Sequence, residues 1–429
     1  MSKENTILAH KAEGISRNAH DLSLPVISYL LKSIREKFRN RVALLAVCPN
    51  SEAVTRAALL AGKQANAPVL FAATLNQVDN DGGYTGWTQC DLITFSNEFA
   101  TKNDIDTPIL ACLDHGGPWL KDKHAKLGLS LDETMDEVKK SLEACLDAGY
   151  ALLHIDPTID RSISTNDPIP IDIVVKRTIE LILHAENYRK LHNLPKIDYE
   201  VGTEEVHGGL ANLSSFEFFL EQLDEELKKI NLSDSWPCFV VGKVGTDLHT
   251  TYFEPKMARD LTERTLKFNA MVKGHYSDYV DNPEDYPLSG MGGANVGPEF
   301  TEEEYFALQE LIKLEKKIGK DSMLTEALEV AVKESNRWQK WLFPDEVGTD
   351  LLDLKDERRA WIVRTCCRYI WTAPEVVESR KNLYSNLEPY RDADAFVIDR
   401  IKTSIMKYYH AFNLINFNDR VLNHNIRNQ

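Results

Sequence analysis

A (β/α)8 TIM barrel, an α/β fold, is what this chain of 429 residues predicts, and three observations carry that expectation. Short segments rich in Val, Ile and Leu alternate with longer segments of helical period. The apolar segments are continuous, as in parallel strands covered on both faces. About eight such units fit into roughly 300 residues, which is the barrel count.

In chain order the strands are expected at Val42–Cys48, Pro68–Ala73, Pro108–Leu113, Ala151–Ile155, Ile197–Gly202, Cys238–Gly242, Asn269–Lys273 and, with the weakest signal, Gly292–Val296. Helical periodicity places helices at Ser51–Gln64, Leu131–Leu146, Ile173–His192, Ser215–Ile230 and Pro255–Lys267. An open doubly wound sheet is the competing architecture. It is disfavoured because no GxGxxG follows the first strand, and Asp81-Gly82-Gly83 and Gly290-Met291-Gly292-Gly293 lack the strand-turn-helix setting of a dinucleotide site. After about residue 325 the strands stop, so residues 1–322 are read as the barrel and residues 323–429 as a helical C-terminal extension. The extension is rich in aromatic and basic residues. Trp338, Trp341, Tyr369 and Trp371 are expected to pack on the barrel or on a neighbouring subunit rather than to form a nucleobase platform.

Composition narrows the function classes. With 43% hydrophobic and 27% charged residues the chain can bury a large core. A formal net charge of -16 argues against nucleic acid, which calls for a basic face. The start, Met1 to Thr6, is polar, and no apolar run approaches the ~20 residues of a membrane span. A cytoplasmic protein without a membrane partner is expected. Seven cysteines without a CxxC pair indicate neither a disulfide framework nor a cysteine zinc site.

The chemistry concentrates at strand ends. Ile109-Leu110-Ala111-Cys112-Leu113 runs into Asp114-His115-Gly116-Gly117, a carboxylate beside an imidazole, which together can hold a metal and move a proton. Taken alone, the dipeptide equally suits a turn-forming Asp and an incidental His. Later predicted strands end in the same manner, in His154-Ile155-Asp156, Gly202-Thr203-Glu204, Thr246-Asp247-Leu248-His249 and Lys273-Gly274-His275. Such recurrence points to one convergent site at the carboxyl ends of a barrel.

The segments Asn76-Gln77-Val78-Asp79-Asn80-Asp81-Gly82-Gly83-Tyr84-Thr85-Gly86, Asp114-His115-Gly116-Gly117-Pro118, Asp167-Pro168-Ile169-Pro170, Gly202-Thr203-Glu204, His275-Tyr276-Ser277-Asp278-Tyr279 and Val296-Gly297-Pro298 resemble those of the class II D-tagatose-1,6-bisphosphate aldolase subunit usually described as non-catalytic. The match runs in order through nearly the whole chain, including Asp350-Leu351-Leu352-Asp353 in the tail. The resemblance implies a barrel of the class II aldolase type, a ketose or ketose-phosphate substrate and relatives among ketose 4-epimerases. It also implies a divalent metal, zinc first, with manganese, cobalt or nickel as alternatives. His115, His249 and His275 match the motif positions that supply its ligands. Asp114 is then the proton-transfer group and Glu204 the second acid–base candidate. Asn76, Gln77, His154, Asp156 and Asn295 are assigned to substrate, although His154 and Asp156 equally suit a helix cap and Asn76 a turn.

Two departures bear on function. The loop after His275 is bulky and acidic (Tyr276-Ser277-Asp278-Tyr279-Val280-Asp281), a poor cradle for phosphate. His207 adds an imidazole beside Glu205 and Val206. Two readings follow. One is a metal-dependent 4-epimerase, an isomerase of carbohydrate metabolism interconverting tagatose- and fructose-type ketoses by aldolase-like chemistry. The other is a partner that supports a separate aldolase subunit. Homo-oligomerisation is expected in either case.

Overall fold

The computed structural model describes residues 11–163, 169–202, 210–246 and 251–423. Eight parallel strands close into a barrel in sequence order: β1 Leu44–Val47, β2 Val69–Thr74, β3 Ile109–Gly116, β4 Leu152–Ile155, β5 Asp198–Gly202, β6 Phe239–Val241, β7 Met271–Gly274 and β8 Gly293–Val296. Closure is made by β1 against β8, with Leu44 opposite Gly293 and Val47 opposite Val296. Every expected strand is present, including the weakest, because each apolar run is buried on both faces, by the barrel interior and by the helices.

The helices Glu52–Ala65, Leu131–Ala148, Ile171–Leu191, Leu213–Lys229 and Pro255–Leu266 follow the expected positions within a few residues. Their starts have local causes. Ser51 accepts the Val54 N–H, and Ser130 and Glu133 form a capping box. Sequence periodicity missed Gln89–Lys102, which turns its small and polar Gln89, Ser96 and Ala100 inward beside Leu92. It also missed Pro298–Lys317, where buried Glu299, Glu302, Glu304 and Glu315 blur the apolar stripe.

The extension contributes Leu324–Ser335, Asp356–Cys366, Pro374–Leu387, Ala393–Ala411 and Phe417–Asn423. Helix Ala393–Ala411 packs against Glu52–Ala65 and Pro298–Lys317. It buries Ile401, Ile405 and Tyr409, each contributing roughly 1.5–3 kcal/mol. Arg56 and Asp394 close that contact with hydrogen bonds of 3.0 and 2.6 Å. Trp371 packs on the barrel and donates to Thr301 Oγ1 at 2.9 Å. All seven cysteines are free, and no helix among the described residues is long and apolar enough to cross a membrane.

Candidate functional site

The expected site centres on an irregularity in β3. Successive strand residues normally face opposite sides, so Asp114 and His115 should diverge. The pairing of β3 with β4 instead shifts register between Leu113 and Gly116, and His115 takes φ +52°. A bulge of this kind re-aims side chains, and here it leaves both Asp114 and His115 lining one pocket. Left-handed backbone at a non-glycine residue costs of order 1–3 kcal/mol, a strain that marks functional positions. Gly117 completes the turn. A Cβ there would lie 1.7 Å from the Asp156 carbonyl oxygen, so only glycine allows β3 to run this close to the end of β4.

Asp114 is buried and ringed by three imidazoles. Its Oδ1 lies 3.3 Å from His154 Nδ1, 3.8 Å from His115 Nε2 and 3.8 Å from His275 Nε2. Ring centroids of the three histidines are 4.9–5.2 Å apart. One ligand atom from each of these four residues fits within a 4.8 Å spread. Burial pushes the Asp114 carboxyl up, but His115, His275 and His154 hold it well below the usual carboxylate range. Asp114 is therefore held as a carboxylate.

Carboxylates orient two of the imidazoles, His115 from the ring side away from Asp114 and His275 at the same Nε2 that faces Asp114. Asp156 Oδ2 meets His115 Nδ1 at 2.6 Å, and its Oδ1 accepts the Thr158 hydroxyl. Burial draws the His115 ring down, and Asp114 and Asp156 more than offset it, raising its pKa to about 9. His275 Nε2 lies 2.9 Å from Glu200 Oε1, whose other oxygen accepts from Lys273 at 2.6 Å. Burial opposes the Glu200 charge, but Lys273 and the histidines bring its pKa to about 2. Burial lowers the His275 pKa and so favours the neutral, ligating ring. The His115 backbone N–H donates to His154 Nδ1 at 3.1 Å, and His154 Nε2 is buried without a hydrogen-bond partner among the described residues.

Asp114, His115, His154, Asp156 and His275 are thus brought together. His154 and Asp156, read from sequence as substrate contacts or caps, face the cluster, Asp156 as the partner of His115. Glu204 and His249 lie outside the described residues, as does His207. Asn76 and Gln77 line the pocket but are already engaged. Asn76 donates to the Leu120 carbonyl and accepts the Asp122 N–H, while Gln77 accepts the Thr74 N–H and donates to Asn50. Asn295 differs, since it is 4% exposed and both its amide atoms lack partners among the described residues. A ligand hydroxyl could satisfy them. The donor set, three imidazoles and a carboxylate with one ligand atom of each within 4.8 Å, suits a divalent transition metal. His115 and His275 would hold it, with His154 within reach.

Sequence reasoning missed Glu200 and Lys273. Two charged residues inside otherwise apolar strands were the available signal, since such residues are almost never buried unless paired. It also missed the contribution of the extension. The pocket, about 570 Å³, joins Asp114, His115, His275 and Asn295 from the barrel to Arg337, Lys340, Trp341, Arg368 and Tyr369 from the extension. That volume suits a small-molecule site. The expected packing role of Trp341 and Tyr369 is therefore incomplete, because both also face the pocket. The NQVxxxGGYTG segment is a fold-back onto the end of β2. Tyr84 N–H donates to the Asn76 carbonyl at 2.9 Å and the Thr85 hydroxyl to the Gln77 carbonyl at 2.7 Å, while Thr372 of the extension donates to the Tyr84 carbonyl at 3.1 Å.

In the loop after β7, Asp278 Oδ1 accepts the N–H groups of Gly297 and Glu299 at 2.9 and 2.8 Å. The chain's own carboxylate occupies the start of helix Pro298–Lys317, where a barrel commonly seats phosphate.

Residues 31–410 match the family model described as D-tagatose-1,6-bisphosphate aldolase subunit GatZ/KbaZ-like. Among curated proteins, the D-tagatose-1,6-bisphosphate aldolase subunit GatZ of Klebsiella oxytoca is 26% identical over 383 residues, covering 82% of this chain and 86% of the relative. GatZ of Shigella boydii serotype 18 is 25% identical over 390 residues, covering 82% and 87%. Among solved structures, a probable tagatose 6 phosphate kinase from Sinorhizobium meliloti 1021 superposes with a TM-score of 0.72 at 19% identity, covering 86% of this chain and 100% of that one. A fructose-bisphosphate aldolase from Campylobacter jejuni gives 0.51 at 11% identity, covering 91% and 95%. At these identities the two structures speak for the barrel fold alone.

Proposed function

The chain belongs to the D-tagatose-1,6-bisphosphate aldolase subunit GatZ/KbaZ-like family, and from that premise we propose that it serves as a subunit in ketose aldolase chemistry while carrying a metal-dependent acid–base site in its own barrel. Family membership favours the subunit role over the stand-alone epimerase. The site is supported by a single observation, the buried Asp114 carboxylate surrounded by His115, His154 and His275.

A divalent ion held there, zinc, manganese, cobalt or nickel, would polarise a ketose carbonyl. The chain's own residues supply the rest. Asp156 orients His115 from the far side of its ring, and Glu200 holds His275 at Nε2. Asp114 takes the hydroxyl proton whose removal starts carbon–carbon cleavage. Asn295 offers an amide to a sugar hydroxyl, and Glu204 is the candidate for returning a proton.

The second reading, a 4-epimerase acting without a partner, is favoured by the closed helix start at Asp278. A bisphosphate needs two anion seats, and one usual seat is filled. The test is to incubate the purified chain and divalent metal with fructose, tagatose and their phosphates, with and without an aldolase subunit, following epimers by chromatography and triose by a coupled assay. Triose that depends on this chain and the partner together supports the subunit role. An epimer formed by this chain alone supports the second reading. No dependence on metal or on Asp114 in either setting overturns the proposed site.

A further inference from the structure

Three cations of the extension crowd one ring in the pocket. Arg337, Lys340 and Arg368 lie 5.2, 4.9 and 5.0 Å from the Tyr369 ring centroid. In a chain of net charge -16, such a cluster calls for a counter-charge. Among the described residues it has little. Arg337 and Lys340 share the Asp122 carboxylate at 3.8 and 3.7 Å, and an Arg337 guanidinium nitrogen, Nη1, is buried without a hydrogen bond. Arg368 is 7% exposed and makes no ion pair among the described residues; its guanidinium donates to the Tyr369 hydroxyl at 3.0 Å. The nearby Asp278 carboxylate is already committed to backbone N–H groups.

A desolvated charge without a paired carboxylate is costly. Ring faces recover part of that cost by cation–π attraction, yet they leave most of the planar donors of two guanidiniums unused. Those donors match the oxygens of a phosphate or carboxylate in bidentate geometry. The same pocket contains Asp114, His115 and His275, so a molecule could touch both groups.

Resting on the ketose reading above, we propose that Arg368, Arg337 and Lys340 form the seat for one terminal anionic group of the substrate, a phosphate or a carboxylate, on the carbon remote from the Asp114 centre. The helical extension is then a specificity element that completes the substrate pocket. The start of helix Pro298–Lys317 is closed by Asp278, so the seat accepts a single anionic end.

The experiment is binding, read by calorimetry on the full chain with fructose, fructose 6-phosphate, the corresponding ketohexuronate and inorganic phosphate, with no catalysis required. Wild type should bind at least one of the anionic ketoses about tenfold or more tighter than fructose, from charge-assisted contacts. The tighter of the two identifies the anion. Arg337→Met and Arg368→Gln should each abolish most of that advantage while fructose binding stays unchanged. Arg368→Lys, which keeps the charge on a buried stem, should recover part of it, and Arg337→Met guards against misfolding of the more buried Arg368 variant. Equal affinity for fructose and both anionic ketoses in wild type overturns the proposal, as does loss of fructose binding in parallel with the anionic ligands in well-folded variants. Anion-selective binding without turnover supports this seat and counts against the catalytic reading alone.

Discussion

Asp156 Oδ2 stands 2.6 Å from His115 Nδ1, on the side of the ring away from the Nε2 that faces Asp114. The carboxylate holds the Nδ1 proton, so that a metal would have only the Nε2 proton to displace. Asp156→Asn should keep the fold but lower divalent-metal affinity about 10–100-fold, measured by titration against a competing chelator. Unchanged affinity would mean that Asp156 has no role in orienting a ligand.

His115→Ala and His275→Ala should each lower metal affinity by several kcal/mol. The informative pair is His154→Ala against His249→Ala. Elemental analysis of the two after dialysis identifies the third imidazole ligand, since the variant that empties the protein has lost it. Full occupancy in all four variants would place any bound metal elsewhere.

Asp114→Asn preserves shape and removes the base. Turnover on the best substrate should fall by about 100-fold or more with metal content intact. Glu204→Gln tests the second acid–base candidate in the same way. Near wild-type rates in both variants would exclude the pair.

Desolvation pushes the Asp278 carboxyl from its ordinary 3.8 up to about 7, against the pull of the Glu299 N–H. The folded value lies above the unfolded one, so the folded state binds the extra proton between about pH 4 and 7. Its contribution to stability is therefore greatest at the acid end and is lost as pH rises through 7, by a few kcal/mol at most, roughly 2–4. Asp278→Asn can still accept both N–H groups. It should raise Tm at pH 8 relative to wild type and not at pH 4.5, flattening that part of the profile. Parallel Tm curves for the two proteins would contradict the assignment.

Gly117→Ala places a methyl 1.7 Å from the Asp156 carbonyl oxygen. Because both neighbours are backbone at the junction of β3 and β4, the clash cannot be relieved by a rotamer. A loss of about 2–3 kcal/mol is expected, read as a lower midpoint in urea unfolding.

The barrel was legible because its strands are continuous apolar runs that tertiary context had no reason to override. Even Gly292–Val296, two glycine-flanked turns from ambiguity, is held by pairing to β1 on one side and β7 on the other. The positions of Asp114, His115 and His275 were legible as strand-end polar residues. What joins Asp114 to His115 was not, since alternation predicts opposite faces and only the register shift in β3 brings them together. The role of Asp156 was hidden for a similar reason, because a capping Asp and a histidine-orienting Asp have the same sequence appearance. Arg368 was beyond reach because it meets Asp114 and His115 from more than 200 residues along the chain, through packing that no local pattern encodes.

The seam between β1 and β8 has a consequence for how the chain is made. Leu44–Val47 pairs on one side with Gly293–Val296, and helix Glu52–Ala65 is covered by Ala393–Ala411. Both partners emerge from the ribosome hundreds of residues later. At roughly 5–20 residues per second the first strand waits on the order of tens of seconds with an apolar edge unpaired. Slow, non-local closure of this sort favours aggregation at high synthesis rates. Soluble yield should therefore depend on expression temperature and on chaperone supply more steeply than the stability of the finished molecule would suggest.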